Sequence, residues 1–305
     1  MGTLSFGLHH HGAMQKAGSM TAQDSPTFQA LTGACPRIKV VDIGANPIDT
    51  APPYAGLLRD GHAEVVGFEP NPLALAELER RKGPHERYFP HAVGDGADHT
   101  LHVCQAPGMT SLLVPNDATL NLFHGFPQWG LVLATETVAT VRLDDVLETA
   151  GADLLKLDIQ GAELMVLRHA EQRLATALVV QAEVEFMPLY QGQPLFSEVE
   201  LFLRGHGFMF HRFFPEVSRA ISPMLVNQDP YAGFSQLVWA DGIFVRDITR
   251  LHLLDDRQLL ATAAILHDCY GSIDVAFRLL TEHDRRCGGG LGETYLAGMQ
   301  RRKAA

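Results

Sequence analysis

Acidic residues follow three successive predicted strands of this 305-residue chain. Asp42 closes the first strand, RIKVVDIGA, Glu69 closes the second, EVVGFEP, and Asp95 follows the third, ERYFPHAVG. Carboxyl ends of parallel strands meet at one edge of a sheet, and open α/β sheets bind their ligands there. We therefore expect the three acids to line one ligand site.

A nucleoside is the ligand that these acids fit. An acid at the end of the second strand, such as Glu69, can accept two hydrogen bonds from ribose hydroxyls, and Asp95 can accept one from an adenine amine. Gly44 lacks a Cβ, so the backbone can turn closely against a ligand. Asp42 stands where a dinucleotide-binding loop needs glycine to admit a pyrophosphate. It favours a ligand with a positive amine and no phosphate, as in S-adenosylmethionine.

Two other functions fit parts of this pattern. A nicotinamide-dependent oxidoreductase requires a GxGxxG loop after the first strand, and the loop here is GANPID. A non-catalytic nucleoside-binding module of the same fold is the second alternative, since each acid by itself could be a helix cap. Pro47 keeps this alternative open because it removes a backbone donor and stiffens the loop.

A second set of polar residues falls in DLLKLDIQG (153–161) and ALVVQAEVEF (177–186), two apolar strands. Strand alternation predicts two one-sided rows, which are Lys156, Asp158 and Gln160, and Gln181, Glu183 and Glu185. A buried charge needs a partner, so a Lys156–Glu183 salt bridge is the structural alternative. Asp158, Glu163 and Glu185 would still lie near the strand ends, and acids in a cleft are candidate bases.

The elements that position these residues predict an α/β fold. Strands alternate with short helices over residues 37–95, which is typical of a doubly wound parallel sheet. Seven sheet strands are predicted, at 37–45, 64–70, 86–95, 153–161, 177–186, 208–214 and 236–247. The last two have no helix between them. This order resembles the Rossmann-like methyltransferases, with a seven-stranded sheet, helices on both faces and an antiparallel last strand.

Three regions follow from this pattern. Residues 1–30 are predicted to be a mobile N-terminal tail, in which His9, His10 and His11 belong to a solvated stretch. Residues 31–250 form the α/β domain. Residues 251–305 are a helical extension, built as a hairpin joined at Gly271. Its apolar faces are compatible with a homodimer. The long loop 107–134 carries four ring residues that we expect to contribute to a pocket or lid: Phe123, His124, Phe126 and Trp129.

Composition narrows the partners and the compartment. The net charge is −11 and there is no basic patch, which disfavours nucleic acid. There is no apolar run of ~18 residues, so we expect no membrane span. The four cysteines are widely spaced, which favours free thiols in a reducing compartment and a cytoplasmic protein.

Four strings together resemble the FkbM family of methyltransferases over roughly residues 37–247: VVDIGAN, VVGFEPNP, DLLKLDIQGAE and EVEFMPLYQGQPLF. The resemblance implies S-adenosylmethionine as the cofactor and S-adenosylhomocysteine as the product. It places Asp42, Gly44 and Asn46 at the methionine part, Glu69 at the ribose and Asp95 near the adenine. It also places Met109, Thr110 and Ser111 near the cofactor, and Asp158 with Glu163 beside the transferred methyl.

The expected reaction is O-methylation of a hydroxyl on a sugar, a polyketide or a related small molecule. Such a hydroxyl needs a base within hydrogen-bond reach. Asp158 is our first candidate and Glu185 the second, ahead of His91, His124 and His169. A divalent metal bridging Asp158 and Glu185 is an alternative that we do not favour, because a tight carboxylate cluster is missing.

Overall fold

The computed structural model of the protein describes residues 26–46 and 51–303. Its ten strands are β1 (Ile38–Ile43), β2 (Ala63–Phe68), β3 (Glu86–Phe89), β4 (Ala92–Val93), β5 (Asp98–Cys104), β6 (Val132–Val141), β7 (Leu154–Leu157), β8 (Val179–Glu185), β9 (Phe208–Arg219) and β10 (Gln236–Arg246). The α-helices in the same residues are α1 (Phe28–Thr32), α2 (Ala55–Arg59), α3 (Pro72–Arg81), α4 (Asp117–Leu120), α5 (Phe126–Trp129), α6 (Glu163–Arg168), α7 (Glu171–Thr176), α8 (Phe196–Gly205), α9 (Asp256–Tyr270), α10 (Ile273–Cys287) and α11 (Leu291–Lys303).

Seven strands form one sheet in the order β3-β2-β1-β7-β8-β10-β9. The first five in this order run parallel, and β10 pairs antiparallel with both β8 and β9. The chain begins at the centre, moves outward to β3 and returns to β7 on the other side of β1. This reversal makes the carboxyl ends of β1 and β7 the ligand-binding point of the sheet. The predicted Rossmann-like seven-stranded sheet is confirmed.

Three predicted elements end earlier than the sequence suggests. The predicted strand 86–95 is two strands, and β4 leaves the main sheet to join a second one in the order β4-β6-β5. The predicted strand 153–161 stops at Leu157, and the chain then turns at Gln160 and Gly161, whose φ angles of 59° and 98° lie outside the regular strand region. The single helix predicted after it is two helices, α6 and α7.

Helices cover both faces of the main sheet, as predicted. One face packs against α1, α2, α9, α10 and α11, through residues that include Ile38, Val40, Val65, Leu154, Val179 and Ile243. The opposite face packs against α6, α7 and α8, through residues that include Val41, Ile43, Val66, Leu155, Val180 and Phe244. Each such side chain contributes about 1.5–3 kcal/mol when it is fully buried. The two cores fix the strand ends from which the site is built.

The helical hairpin of the predicted extension is present, and it shares the core of the sheet. Asp255 caps α9 by accepting a hydrogen bond from the Gln258 amide at 2.7 Å. Gly271 ends α9 with a φ of 63°, and α10 begins two residues later. The helix α2 has only five residues, so α9, buried over most of its surface, fills the same face of the sheet.

Part of the predicted tail is folded. Phe28 in α1 is fully buried, and its ring lies 6.2 Å from the rings of His267 and Tyr295. Its backbone N–H donates to Asp268 at 2.8 Å. The tail prediction therefore does not hold for the last of its residues. Its remainder, residues 1–25 with the three histidines, and Pro47 lie outside the described residues. No helix in the described part of the chain is long and apolar enough to cross a bilayer.

Candidate active site

A cavity of about 770 Å³ opens at the carboxyl ends of β1, β2, β7 and β8. This volume falls within the range of small-molecule sites, which is about 300–1,000 Å³. The strand ends contribute polar residues to its lining: Gly44, Asn46, Glu69, Asp158, Gln160, Glu183 and Glu185. The segment from β5 to β6 contributes an opposite wall that is mostly apolar and includes Val103, Met109, Phe126, Trp129 and Val138.

The turn after β1 fits tightly against the turn after β7. Gly44 has a φ of 82°, and a Cβ there would lie 2.0 Å from the backbone oxygen of Asp158. Only glycine fits, because any side chain would force the two turns apart. The amides of Gly44 and Ala45 both donate to the carbonyl of Phe68, at 3.1 and 3.0 Å. These bonds fix the loop beside the cavity.

Asp42 does not line the cavity, which corrects the prediction. Its carboxylate is almost fully buried and accepts hydrogen bonds from Lys156 Nζ at 3.1 Å and Tyr54 Oη at 2.5 Å. Asp42 and Lys156 are register partners on adjacent strands, which explains their pairing. The alternative of a Lys156–Glu183 salt bridge is therefore wrong. Burial lowers the pKa of Lys156, but the carboxylates of Asp42 and Asp158 outweigh it and leave that pKa raised.

Glu69 lines the cavity as expected, beside Gly44 and Asn46. Its Oε1 accepts the backbone N–H of Asn71 at 2.8 Å. Burial raises the pKa of the Glu69 carboxyl. Gly44, Asn46 and Glu69 are predicted cofactor residues at the first two strand ends, and all three line the cavity. Asp42 is the exception.

Asp95 lies away from the cavity. Its Oδ1 accepts the N–H of Ala97 at 2.9 Å and is 2.8 Å from Nε2 of His99, which lowers the pKa of Asp95 to about 2. The displacement has a topological cause, since β4 turns from the main sheet into the second one. Residues 91–93 line the cavity instead, with His91 among them.

Gln160, which the prediction did not include in the site, bridges two of the acids. Its Nε2 donates to Asp158 Oδ1 at 3.0 Å and to Glu183 Oε2 at 2.9 Å. Tyr190 Oη donates to its Oε1 at 3.3 Å, and Ser111 Oγ donates to its backbone oxygen at 2.7 Å. Ser111 therefore lines the cavity, as do Met109 and Thr110.

Glu163, a predicted catalytic residue, does not line the cavity. Its carboxyl is buried beneath the turn after β7, where Oε1 accepts the N–H of Ile159 at 2.8 Å. Burial raises the pKa of Glu163 to about 7. Through this hydrogen bond the Glu163 side chain stabilises the turn after β7.

Glu183 and Glu185 both line the cavity near Asp158. Burial raises the pKa of each carboxyl well above its ordinary value, and repulsion from neighbouring acids adds to the effect. Neighbouring carboxyls in an apolar setting disfavour one another's ionisation. Glu183 is a second residue that the prediction left out of the site. The sequence did indicate Glu183 as a site residue, because strand alternation placed it on the same face as Glu185.

The charge of the lining is one-sided. The described lining residues include five carboxyl side chains, Glu69, Glu136, Asp158, Glu183 and Glu185, and no lysine or arginine. The site therefore attracts cationic or neutral ligands and repels anionic ones. The described residues contain no set of three histidine, cysteine or acidic side chains arranged to hold a metal ion.

Two aromatic residues line the same cavity as the acids. Phe126 and Trp129 line the cavity with ring centroids 4.9 Å apart, and Trp129 stacks on Tyr231 at 5.2 Å. The other two ring residues of this segment are elsewhere. Phe123 is buried behind Phe126, and His124 approaches the Met224 carbonyl at 3.3 Å. His169, the remaining histidine candidate, bonds to the carbonyl of Met165 at the end of α6.

A sequence model described as the methyltransferase FkbM domain matches residues 42–210, more than half of the chain. The protein belongs to this family. The match spans β1 to β9 and includes every acid at the strand ends described above.

Known relatives of this FkbM-domain methyltransferase include 2-O-methyltransferase NoeI of Sinorhizobium fredii. It is 28% identical over 176 residues, which cover 53% of this chain and 70% of the relative. Among solved structures, magnesium protoporphyrin IX methyltransferase (ChlM) from Synechocystis with bound SAM is 12% identical. The match covers 70% of this chain and 73% of the Synechocystis chain, with a TM-score of 0.36. TYW2 from M. jannaschii in complex with AdoMet is 14% identical. The match covers 71% of this chain and 73% of the TYW2 chain, with a TM-score of 0.33.

Proposed function

We propose that this methyltransferase uses S-adenosylmethionine to methylate a hydroxyl group on a sugar, a polyketide or a related neutral small molecule. One observation carries the proposal: Asp158, Glu183 and Glu185 line the same cavity as Gly44, Asn46 and Glu69, the strand-end residues that we propose hold a nucleoside. A base and a cofactor site in one cavity are what methyl transfer to a hydroxyl requires.

The cavity suits this cofactor better than a dinucleotide. Glu69 and the turn at Gly44 stand where a ribose and an amino acid part would be held, and Glu69 lines the cavity with its carboxyl. A sulfonium and an ammonium are cations, and the lining carries acids without a lysine or an arginine among its described residues. A pyrophosphate would face those acids with no cation to pair with, which argues against nicotinamide chemistry.

The residues of the chain would activate and hold the acceptor. When bound, S-adenosylmethionine supplies a methyl group that the acceptor oxygen takes, leaving S-adenosylhomocysteine. Asp158 accepts the proton from that hydroxyl, so the O–H bond breaks as the O–C bond forms. Gln160 holds the Asp158 carboxylate in position at 3.0 Å. Phe126 and Trp129 exclude water from one side of the reacting groups.

The acceptor class follows from the two walls. Aromatic faces such as Trp129 pack against the apolar faces of a sugar or a macrocycle, while the acids opposite them accept hydrogen bonds from hydroxyls. The absence of lysine and arginine from the described lining disfavours phosphorylated or carboxylated acceptors. The relative named a 2-O-methyltransferase supports oxygen as the atom that receives the methyl.

Calorimetric titration with S-adenosylhomocysteine, beside NADH, tests the cofactor. We expect binding of the former alone. Transfer of labelled methyl from S-adenosylmethionine to a panel of methyl glycosides tests the acceptor, and Asp158→Asn should abolish transfer while S-adenosylhomocysteine still binds. Failure to bind S-adenosylhomocysteine would favour the non-catalytic module. Loss of transfer after treatment with a chelator would revive the metal alternative.

A further inference from the structure

We propose that Gln160 joins Asp158 and Glu183 into a two-point site that selects acceptors with two neighbouring hydroxyl groups. One hydroxyl, the one methylated, contacts Asp158, and its neighbour contacts Glu183. The inference rests on the proposed function and narrows its acceptor class to vicinal diols.

The spacing of the two acids fits such a diol. One nitrogen, Nε2 of Gln160, donates to Asp158 Oδ1 at 3.0 Å and to Glu183 Oε2 at 2.9 Å. The two hydrogens of an amide nitrogen diverge, so these carboxyl oxygens lie roughly 5 Å apart. The oxygens of a vicinal diol are closer together than that. Each can therefore contact its own carboxyl at hydrogen-bond length, as a bidentate ligand does.

Gln160 is held too firmly to swing away from the acids. Its φ of 59° is a strained conformation for a residue other than glycine. Two buried hydroxyls hold it there, since Ser111 donates to its backbone oxygen and Tyr190 donates to its Oε1. Strain sustained by surrounding contacts is characteristic of functional sites. The amide is thus a fixed spacer between the two carboxyls.

The two carboxyls have different tasks in this arrangement. Burial raises the pKa of Glu183 well above its ordinary value, and repulsion from neighbouring acids adds to the effect, which favours the protonated form of this group over that of an exposed glutamate. Glu183 can then donate to the oxygen of the neighbouring hydroxyl, which keeps its own proton. Asp158 takes the proton of the reacting hydroxyl. With a single hydroxyl, the half-buried Glu183 carboxyl would keep its hydrogen bond from Gln160 but lose the one to the acceptor, which costs binding energy.

Matched acceptor pairs test the inference. Each pair is a methyl glycoside of a neutral hexose and its deoxy analogue lacking one hydroxyl of a vicinal pair, with labelled methyl transfer as the readout. We expect kcat/KM for the wild-type enzyme to be at least ten-fold lower with the deoxy analogue of the accepted glycoside. Gln160→Met should lower transfer to the diol and bring the diol-to-deoxy ratio close to one.

Glu136→Gln is the matched control, since Glu136 lines the same cavity from β6 but belongs to neither contact. Its diol-to-deoxy ratio should equal that of the wild type. Equal transfer to both members of each pair by the wild type would overturn diol selection and leave O-methylation standing. Transfer to no glycoside, with S-adenosylhomocysteine still bound, would overturn the sugar acceptor and the diol inference together. The wild-type ratio decides the matter even where Gln160→Met fails to fold.

Discussion

Nζ of Lys156 lies 3.1 Å from Oδ1 of Asp42, and both side chains are almost completely buried. The pair belongs to a row across β1, β7 and β8 whose third member is Gln181. Two residues further along the same strands come Gly44, Asp158 and Glu183, which line the cavity. The ion pair therefore lies directly beneath the edge of the sheet that lines the cavity.

Removing one partner of the Asp42–Lys156 pair should lower the free energy of unfolding strongly. Asp42→Ala leaves the Lys156 ammonium buried without its carboxylate, and we expect a loss of about 3–5 kcal/mol in the free energy of unfolding. Urea denaturation measures it. Glu64→Ala is the control, because Glu64 makes only exposed ion pairs with Arg37 and Lys39, at 3.9 and 4.0 Å. That change should cost no more than about 1 kcal/mol. Similar losses in both variants would refute a structural role for the buried pair.

The sequence predicted the main sheet well, because its central strands are short and mostly apolar and are followed by turn residues. It failed where pairing depends on distant residues. The two residues of β4 pair with Thr140 and Val141, about fifty positions later, so no local pattern marks their departure from the main sheet. The early end of β7 had a local signal in the glycine of IQGA, but the left-handed backbone at Gln160 had none.

For the site, the expectation that ligands bind at the carboxyl ends of parallel strands located the backbone correctly. It did not predict the direction in which each side chain points. Gly44, Asn46, Glu69, Ser111, Asp158 and Glu185 line the cavity as expected. Asp42, Asp95 and Glu163 lie within a few residues of it, yet their carboxyl oxygens face Lys156, His99 and the Ile159 amide. Those partners come from other elements or from the backbone of the turn. Only the assembled structure tells a ligand-facing acid from one that holds the scaffold.

Glu163 should make the protein less stable as pH rises. Burial raises its pKa in the folded protein from an ordinary 4.5 to about 7. Between these values the folded state holds a proton that the unfolded state releases, so the Glu163 contribution is present below pH 4.5 and is lost as pH rises through 7. The effect is at most about 1.4 kcal/mol per pH unit.

Urea denaturation of Glu163→Gln and the wild type at pH 5 and pH 8 measures this contribution. The variant should gain stability relative to the wild type at the higher pH, because glutamine carries no proton to lose. Glu282→Gln is the control, since hydrogen bonds from Arg285 and Arg286 lower the pKa of Glu282 to about 2, below this window. A constant difference between Glu163→Gln and the wild type would show that Glu163 titrates normally.

Gly44→Ala should weaken cofactor binding. A Cβ at Gly44 would lie 2.0 Å from the Asp158 carbonyl oxygen, so the turn beside the cavity must move. We expect at least a ten-fold loss of affinity for S-adenosylhomocysteine in calorimetry. Gly151→Ala is the matched control, because Gly151 has a similar φ of 73° but no atom within 4 Å of the added Cβ. It carries the same backbone strain and should bind normally. Equal losses would attribute the effect to strain alone.

Trp129→Ala should weaken binding of the acceptor and leave binding of the cofactor unchanged. The Trp129 ring lies between Phe126 and Tyr231, at 4.9 and 5.2 Å, and forms the wall opposite the acids. Loss of an aromatic face is worth about 0.5–1.5 kcal/mol beyond its buried area, so KM for an accepted glycoside should rise roughly ten-fold. His124→Ala, in the same segment but outside the cavity lining, should leave KM unchanged. If Trp129→Ala instead weakened S-adenosylhomocysteine to the same degree, the aromatic wall would belong to the cofactor, and the acceptor would have to enter from the side of Glu69.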